Sequence, residues 1–355
     1  MPGLTAALLV RGVHPLRAAV PALALTFALM PLFGPAGTAA VQALQSTAVT
    51  GAEVCLIMLA GMLLHELLDE AGSHEQFGTW LATRVSRPEH RALLMALGVV
   101  PFVEAVMGFG VGVIVGFPLL LRMGFSPAAA GAVTLFGQLT IPWGAMGPGT
   151  LIASRLAGVS LQALGERSAA LSLVSFSVCG LAALVVTCGW KAALRSLPAL
   201  AVVSGSLWAG IGLMNRWVGT PPAGILGSPF AIVASLLVAA WARGAGRSGA
   251  DSGQAAVAFP ARALVPYGLL AGLALLARAL AGPGGASPAF PLLVTCAAVP
   301  WWFKLSPRRT AAALRRTLNR WAPVAATTVA FLATGNLMRF SGMARALAGA
   351  AASLG

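Results

Sequence analysis

The sequence predicts an all-α polytopic membrane protein with about 8–11 spans, some of them broken or re-entrant. Three observations carry this. Of 355 residues, 58% are hydrophobic and only 9% charged, where soluble domains hold about 25% charged residues. So little charge cannot cover a water-facing surface, whereas a lipid-facing one needs none; the mean hydropathy is +0.86. Finally, apolar runs near the length that crosses a bilayer, about 20 residues, recur along the whole chain, and no polar stretch is large enough for a separate soluble domain.

Clear spans fall at roughly 18–34, 49–68, 168–189, 196–215, 222–242, 263–281, 288–303 and 321–338. Arg11 and Arg17 precede the first of these and imitate a cleaved signal peptide. Since everything downstream is itself membrane-embedded, the run reads as a retained first span. Between 92 and 154 the apolar character persists but Gly and Pro interrupt it. Cys55, Cys179, Cys188 and Cys296 lie inside apolar runs without metal-ligand spacing, and read as small buried hydrophobes.

The formal net charge of +14 does not point to nucleic acid, because the basic residues sit singly or in small groups between apolar segments. That is the pattern of the positive-inside rule. Segments 69–91 (Arg84, Arg87, Arg91), 243–262 (Arg243, Arg247, Arg262) and 304–320 (Lys304, Arg308, Arg309, Arg315, Arg316, Arg320) are predicted to be cytoplasmic loops, and the uncharged 35–48 and 282–289 external ones. The alternation closes if 92–154 crosses the membrane a net odd number of times. Trp217, Trp301, Trp302 and Trp321 sit at span ends, as interfacial anchors do. Arg278, near the outer end of its span, reads as a snorkelling side chain.

Residues 58–82 can be laid beside 330–348: each ends an apolar helix in small and polar residues and starts a second, amphipathic one, and the two run in opposite directions. Repeats of opposite topology are how many secondary transporters are built. The chain therefore divides into a first repeat, 1–157, with the broken-helix region; connecting transmembrane helices, 158–303; and the start of a second, incomplete repeat, 304–355.

The stretch that carries chemistry is 96–127, where Glu104 is the one carboxylate. At membrane depth such a group costs several kcal/mol unless protonated, paired or hydrated. Gly108, Gly110, Gly112 and Gly116 follow it and weaken the helix. A second break follows at 137–149, where Pro142, Pro148, Gly137, Gly144, Gly147 and Gly149 interrupt the helix and Gln138 and Thr140 supply hydrogen-bonding groups. Two half-helix N-termini brought together there would offer unpaired N–H groups and positive dipole ends to a carboxylate ligand. The competing reading is a glycine helix-packing motif with Glu104 at an interface. The glycines are no dinucleotide fingerprint, since no strand precedes them.

Residues 88–152 resemble the bacterial L-lactate permease family, whose pattern runs approximately F-x-E-G-x-x-G-F-G, then a loop, then P-V-x-F-G-A-x-G. Phe102, Glu104, Gly108, Phe109 and Gly110 fit the first element, Gly144, Ala145 and Gly147 the second, and the MGFSP from Met123 the connecting turn. Weaker resemblance covers about 18–243 and 304–355. It implies proton-coupled uptake of lactate, glycolate or a related 2-hydroxy monocarboxylate across a bacterial cytoplasmic membrane, with no enzymatic reaction, cofactor or metal. Glu104 is then the expected proton carrier, and Gly108, Phe109, Gly110, Gly112, Gln138, Thr140, Trp143, Gly144 and Gly147 the expected substrate-binding residues.

This chain departs from the pattern at Ala105 and Met107, at Gly137-Gln138 in place of a polar pair, and at Pro142 and Trp143. Family members also run several spans further at the C-terminus. The alternative function is accordingly a non-transporting remnant, or a subunit completed by a second chain that supplies the missing repeat. Two weaker signals remain. His65, Glu66, Asp69, Glu70, His74 and Glu75 lack H-E-x-x-H spacing and read as a solvated loop rather than a metal site. Arg339 and Arg345 follow an expected polar break at Thr334-Gly335-Asn336 and read either as snorkelling or as partners for an anion.

Overall fold

The structure is a computed structural model describing residues 15–34, 36–244, 258–282 and 287–353. The described residues form helices and turns, with no strand among them. Arg11, Arg247 and parts of the loops predicted at 243–262 and 282–289 lie outside the described residues.

In chain order the helices are α1 (Pro15–Leu29), α2 (Ala36–Glu70), α3 (Ser73–Arg84), α4 (Pro88–Met107), α5 (Val111–Arg122), α6 (Pro127–Phe136), α7 (Pro148–Ala157), α8 (Leu161–Cys188), α9 (Trp190–Arg195), α10 (Leu197–Trp217), α11 (Ala223–Gly244), α12 (Ala261–Ala281), α13 (Ala289–Phe303), α14 (Pro307–Phe340) and α15 (Met343–Ala352). Seven are long and apolar enough to cross a membrane: α1 with its following turn, α2, α4, α8, α10, α11 and α12. α5 and α13 are apolar but shorter.

Local sequence explains many of the starts. Ser126-Pro127 and Ser306-Pro307 each place a serine at the N-cap, accepting from the N–H of Ala129 and Arg309, with proline at the first helical position. Ser160 caps α8 in the same way through Ala163 N–H. The turns α2–α3 and α14–α15 pass through Gly72 (φ 65°) and Gly342 (φ 85°), left-handed positions that glycine takes without strain.

Several predicted loops are helical. The first part of α2 occupies 36–48, the first half of α14 occupies 307–320, and α3 lies inside 69–91. Hydropathy detects only the apolar window of a helix. α2, with 35 residues, is about 52 Å long and extends well beyond an apolar layer of about 30 Å. The break expected at Thr334–Asn336 is also absent: α14 is continuous there, and Asn336 Nδ2 donates to Thr47 Oγ1 at 3.0 Å inside the bundle. Trp321 turns towards α2, its Nε1 donating to Cys55 O at 2.9 Å. Trp217 and Trp301 are exposed at helix ends.

α2 and α14 pack antiparallel: Thr47 meets Asn336, Cys55 meets Trp321, and Glu66 meets Arg316 and Arg320. One end of the bundle joins the three predicted cytoplasmic segments. There Ser73 Oγ donates to Ala263 O at 2.8 Å, Arg262 Nη2 to Trp302 O at 3.0 Å, and Arg316 binds Glu66 and Glu70 at 2.6 and 2.5 Å. The region 92–154 starts at this end. α4 rises from it, α5 returns to it (Arg122 bonds Glu75 at 2.8 Å), α6 rises again, and α7 continues to the opposite end. The net result is one crossing, which meets the odd-number condition.

The acidic cluster, which spans the end of α2 and the start of α3, is not a solvated loop. His65, Glu66 and His74 are buried. Glu66 binds two arginines of α14, the two histidine rings stack at 5.4 Å, and His74 Nδ1 lies 3.0 Å from Tyr267 OH. No group of three or more His, Cys, Asp or Glu among the described residues is arranged to hold a metal ion. The partners come from helices some 190–250 residues away in sequence, so local spacing could not announce them.

Candidate functional site

α4 is not a uniform helix. Its middle, Leu94–Val99, is a π-helical stretch, and Val100 N–H reaches back to Met95 O. Pro101 follows, a residue without an N–H for the regular ladder; the wider turn shifts the bonding register just ahead of it. The carbonyl of Pro101 accepts from Thr140 Oγ1 at 2.5 Å. Thr140 therefore ties the second break to the first helix and does not face an open space.

α4 ends at Gly108, and three successive residues, Gly108, Phe109 and Gly110, take positive φ of 70°, 57° and 79°. A left-handed conformation costs a bulky residue such as Phe109 roughly 1–2 kcal/mol. The fold holds it there, with the ring partly exposed, and so reverses the chain within three residues and aims the start of α5 at the last turn of α4.

Glu104 occupies that reversal and is 3% exposed. Gly110 N–H donates to its Oε1 at 3.2 Å and Gly112 N–H to its Oε2 at 3.1 Å. With its amide oriented to satisfy both neighbours, Gln138 Nε2 donates to Oε2 at 3.0 Å while its oxygen accepts from Val113 N–H at 3.2 Å. The carboxylate thus fills the N-terminus of α5, with three donors supplying the charge-assisted hydrogen bonds that a buried ion requires. The α5 donors expected to meet a ligand are met by the protein's own Glu104.

The second break lies against the first. The chain from Gln138 to Met146 is a 3₁₀ helix containing Pro142, and it ends on Met146 and Gly147, both left-handed at φ 67° and 75°. Gly144 has room for no side chain without adjustment: a Cβ there would stand 3.2 Å from Glu104 O and 3.7 Å from Gly108 Cα. Gly112 is tighter, at 2.9 Å from Val100 O. Trp143 is fully buried beside Gly224, with its Nε1 unpartnered. Gly147 is the N-cap of α7, which has no side-chain cap.

Glu104, Gly108, Gly110, Gly112, Gln138 and Gly144 therefore form one contiguous cluster, with Gly147 at its edge. Phe109 is in the turn with its side chain turned outward, while Thr140 and Trp143 brace the cluster from behind.

Beyond this cluster, towards the end of the bundle opposite the acidic network, lies a cavity of about 260 Å³. Met146 and Leu151, on either side of the α7 N-terminus, line it, together with Glu53, Arg155, Thr220 and Arg278. Arg155 is paired with Glu53 at 3.0 Å. Arg278 was expected to snorkel to the membrane surface; it lies instead on the cavity wall, its guanidinium carbon 3.8 Å from where a Cβ on Gly219 would be. Its spacing within an apolar helix gave no signal of this, because the wall opposite it comes from residues 146–162 and 218–222. Arg339 donates to Arg155 O, and Arg345 is exposed.

The family model described as L-lactate permease matches residues 4–280 of the chain. No curated protein and no solved structure matches it.

Proposed function

We propose that this chain, which belongs to the L-lactate permease family, carries a small monocarboxylate such as lactate or glycolate across a bacterial cytoplasmic membrane together with a proton. Membership and the seven apolar helices make it a multi-pass membrane transporter. The substrate range, the proton and the membrane are the proposal. The end bearing Arg84, Arg87, Arg91, Lys304, Arg308 and Arg309 is then cytoplasmic.

The observation that carries the reading is the position of Glu104. A single buried carboxylate occupies the N–H donors of Gly110 and Gly112, at a helix start that would otherwise suit an anion. Two anions cannot share those donors. When Glu104 takes a proton it loses its charge and most of its hold on them, and the substrate carboxylate can replace it. When the proton leaves, Glu104 reclaims the donors and expels the substrate. Coupling arises from this competition. One proton moving with one monoanion is electroneutral, so the pair crosses the low-dielectric interior without net charge.

Gln138 and Gly144 support the exchange. Gln138 presents an amide that can hydrogen-bond to either form of the acid. The absent side chain at Gly144 lets the second break lie against Glu104 O. Uptake of radiolabelled L-lactate and glycolate into proteoliposomes, with and without an inward proton gradient, tests the reading. Accumulation above equilibrium only with the gradient is expected, and equal uptake in both conditions contradicts it.

A further inference from the structure

Of the two half-helix N-termini at the breaks, that of α5 is filled by Glu104 while that of α7 has no side-chain cap. The α7 start borders the cavity through Met146 and Leu151. The macrodipole favours an anion near that start. The charged side chains that line the same cavity are Glu53, Arg155 and Arg278. Arg155 and Glu53 neutralise each other, and Arg278 has no carboxylate partner among the described residues. The lining therefore carries one net positive charge, half-buried, in a cavity that also borders the start of α7. Mostly apolar walls of Leu151, Leu161, Val218, Pro221, Pro222 and Ala274 complete it. This combination suits a small acid with one carboxylate and a short carbon body.

Arg278 also lies in the last turn of α12, where a cation is favourable on its own account. That placement accounts for a positive charge at this depth. It does not account for a cavity facing it, nor for the guanidinium lying against Gly219 instead of reaching out to solvent.

We infer that this cavity is the external binding site for the monocarboxylate, with Arg278 holding the carboxylate beside the α7 N-terminus before it passes Met146 to reach Glu104. This rests on the transport reading above and adds to it a second anion site, on the outer side, and a residue that sets external affinity. Met146 lines the cavity and stands two residues from Gly144, where a Cβ would lie 3.2 Å from Glu104 O. The two sites are therefore separated by one turn of backbone.

The test uses the full chain in proteoliposomes of defined orientation, with L-lactate as the probe. Arg278→Gln should raise the half-saturation concentration on the external face about tenfold, the loss of one charge-assisted hydrogen bond. Half-saturation on the internal face should change far less. Arg278→Lys should restore most of the external affinity. An unchanged external value in Arg278→Gln, or an equal rise on both faces, overturns the inference while leaving transport intact. Absence of any L-lactate transport by the unmutated protein is instead the failure of the transport reading, and the inference falls with it. Should Arg278→Gln not insert, the unmutated protein serves: saturating L-lactate should slow phenylglyoxal modification of Arg278 several-fold and leave exposed Arg308 unaffected. Equal rates at Arg278 with and without L-lactate overturn the inference.

Discussion

The backbone N–H of Gly112 donates to Glu104 Oε2 at 3.1 Å, across the break that separates α4 from α5. A buried carboxylate is thereby the cap of a half-helix and, in the proposed reading, also the proton carrier. Its two roles give different signatures on substitution, because a cap is read in stability and a proton carrier in transport.

The glycines around it differ in what a methyl group would meet, and so should their alanine variants. At Gly112 the methyl is forced to 2.9 Å from Val100 O, and overpacking of this kind costs about 1–3 kcal/mol. At Gly110 the space is open but φ is +79°, a strain of about 1 kcal/mol. At Gly149, with open space and no positive φ, alanine should be neutral or stabilising by up to about 1 kcal/mol. Thermal unfolding of the three purified variants should rank them Gly112→Ala, Gly110→Ala, Gly149→Ala from least to most stable. Gly112→Ala as stable as Gly149→Ala would mean the packing of α5 on α4 is looser than described.

At the other end of α2, Glu66 accepts from Arg316 at 2.6 Å and Arg320 at 2.7 Å. The carboxylate is buried but the arginines are 40% and 58% exposed. The coupling is therefore well short of that of a fully buried pair, at about 1 kcal/mol. A double-mutant cycle of Glu66→Gln and Arg316→Gln should show non-additivity of that size. Strict additivity would show that the α2–α14 contact at this end is held by apolar packing alone.

Burial, and after it the neighbouring His65, pushes the His74 imidazole down to about 3. The folded protein keeps this ring neutral while the unfolded chain protonates it near 6.5. The unfolded state thus binds more protons below that value, and stability falls as the pH drops from 6.5 towards 3. At pH 5 the loss from this one group is about 2 kcal/mol. His74→Phe should flatten the dependence of unfolding temperature on pH between 6.5 and 5. An unchanged slope would locate the acid sensitivity elsewhere.

The shared end of the bundle is directly testable. With Cys55, Cys179, Cys188 and Cys296 replaced, single cysteines at the exposed positions Ser86, Arg262 and Arg308 should resist an impermeant thiol reagent in intact cells and react after permeabilisation. A cysteine at Val159, exposed at the opposite end, should react without permeabilisation. Reaction of any of the first three in intact cells would contradict the proposed orientation.

Hydropathy alone located six of the seven apolar helices long enough to cross a membrane; it left 88–107 inside the broken region and added 288–303, which is a shorter helix, and 321–338, which is half of the long α14. The runs of Gly and Pro marked both breaks, because a helix breaker acts over a few residues. Glu104 stood out for the same reason, as the one carboxylate in its stretch. What remained hidden depends on distant partners. The burial of His65, Glu66 and His74 requires Arg316, Arg320 and Tyr267. The placement of Arg278 on a cavity wall requires α7, α8 and the 218–222 turn. The π-helical stretch before Pro101 was in principle legible, since a proline inside an apolar helix must disturb its ladder. The occupation of the α5 N-terminus by Glu104 follows from three successive positive φ angles at 108–110, which glycine permits but does not dictate, least of all at Phe109.

The central claim is that Glu104 couples proton and substrate by competing for the donors of Gly110 and Gly112. It is tested most directly by Glu104→Gln in proteoliposomes, with L-lactate uptake driven by an imposed proton gradient compared with L-lactate exchange at equal pH. The account predicts that gradient-driven accumulation is lost while exchange persists, because the neutral amide leaves the donors open to substrate and carries no proton. Accumulation at the unmutated level in Glu104→Gln would contradict it and leave Glu104 as the cap of α5.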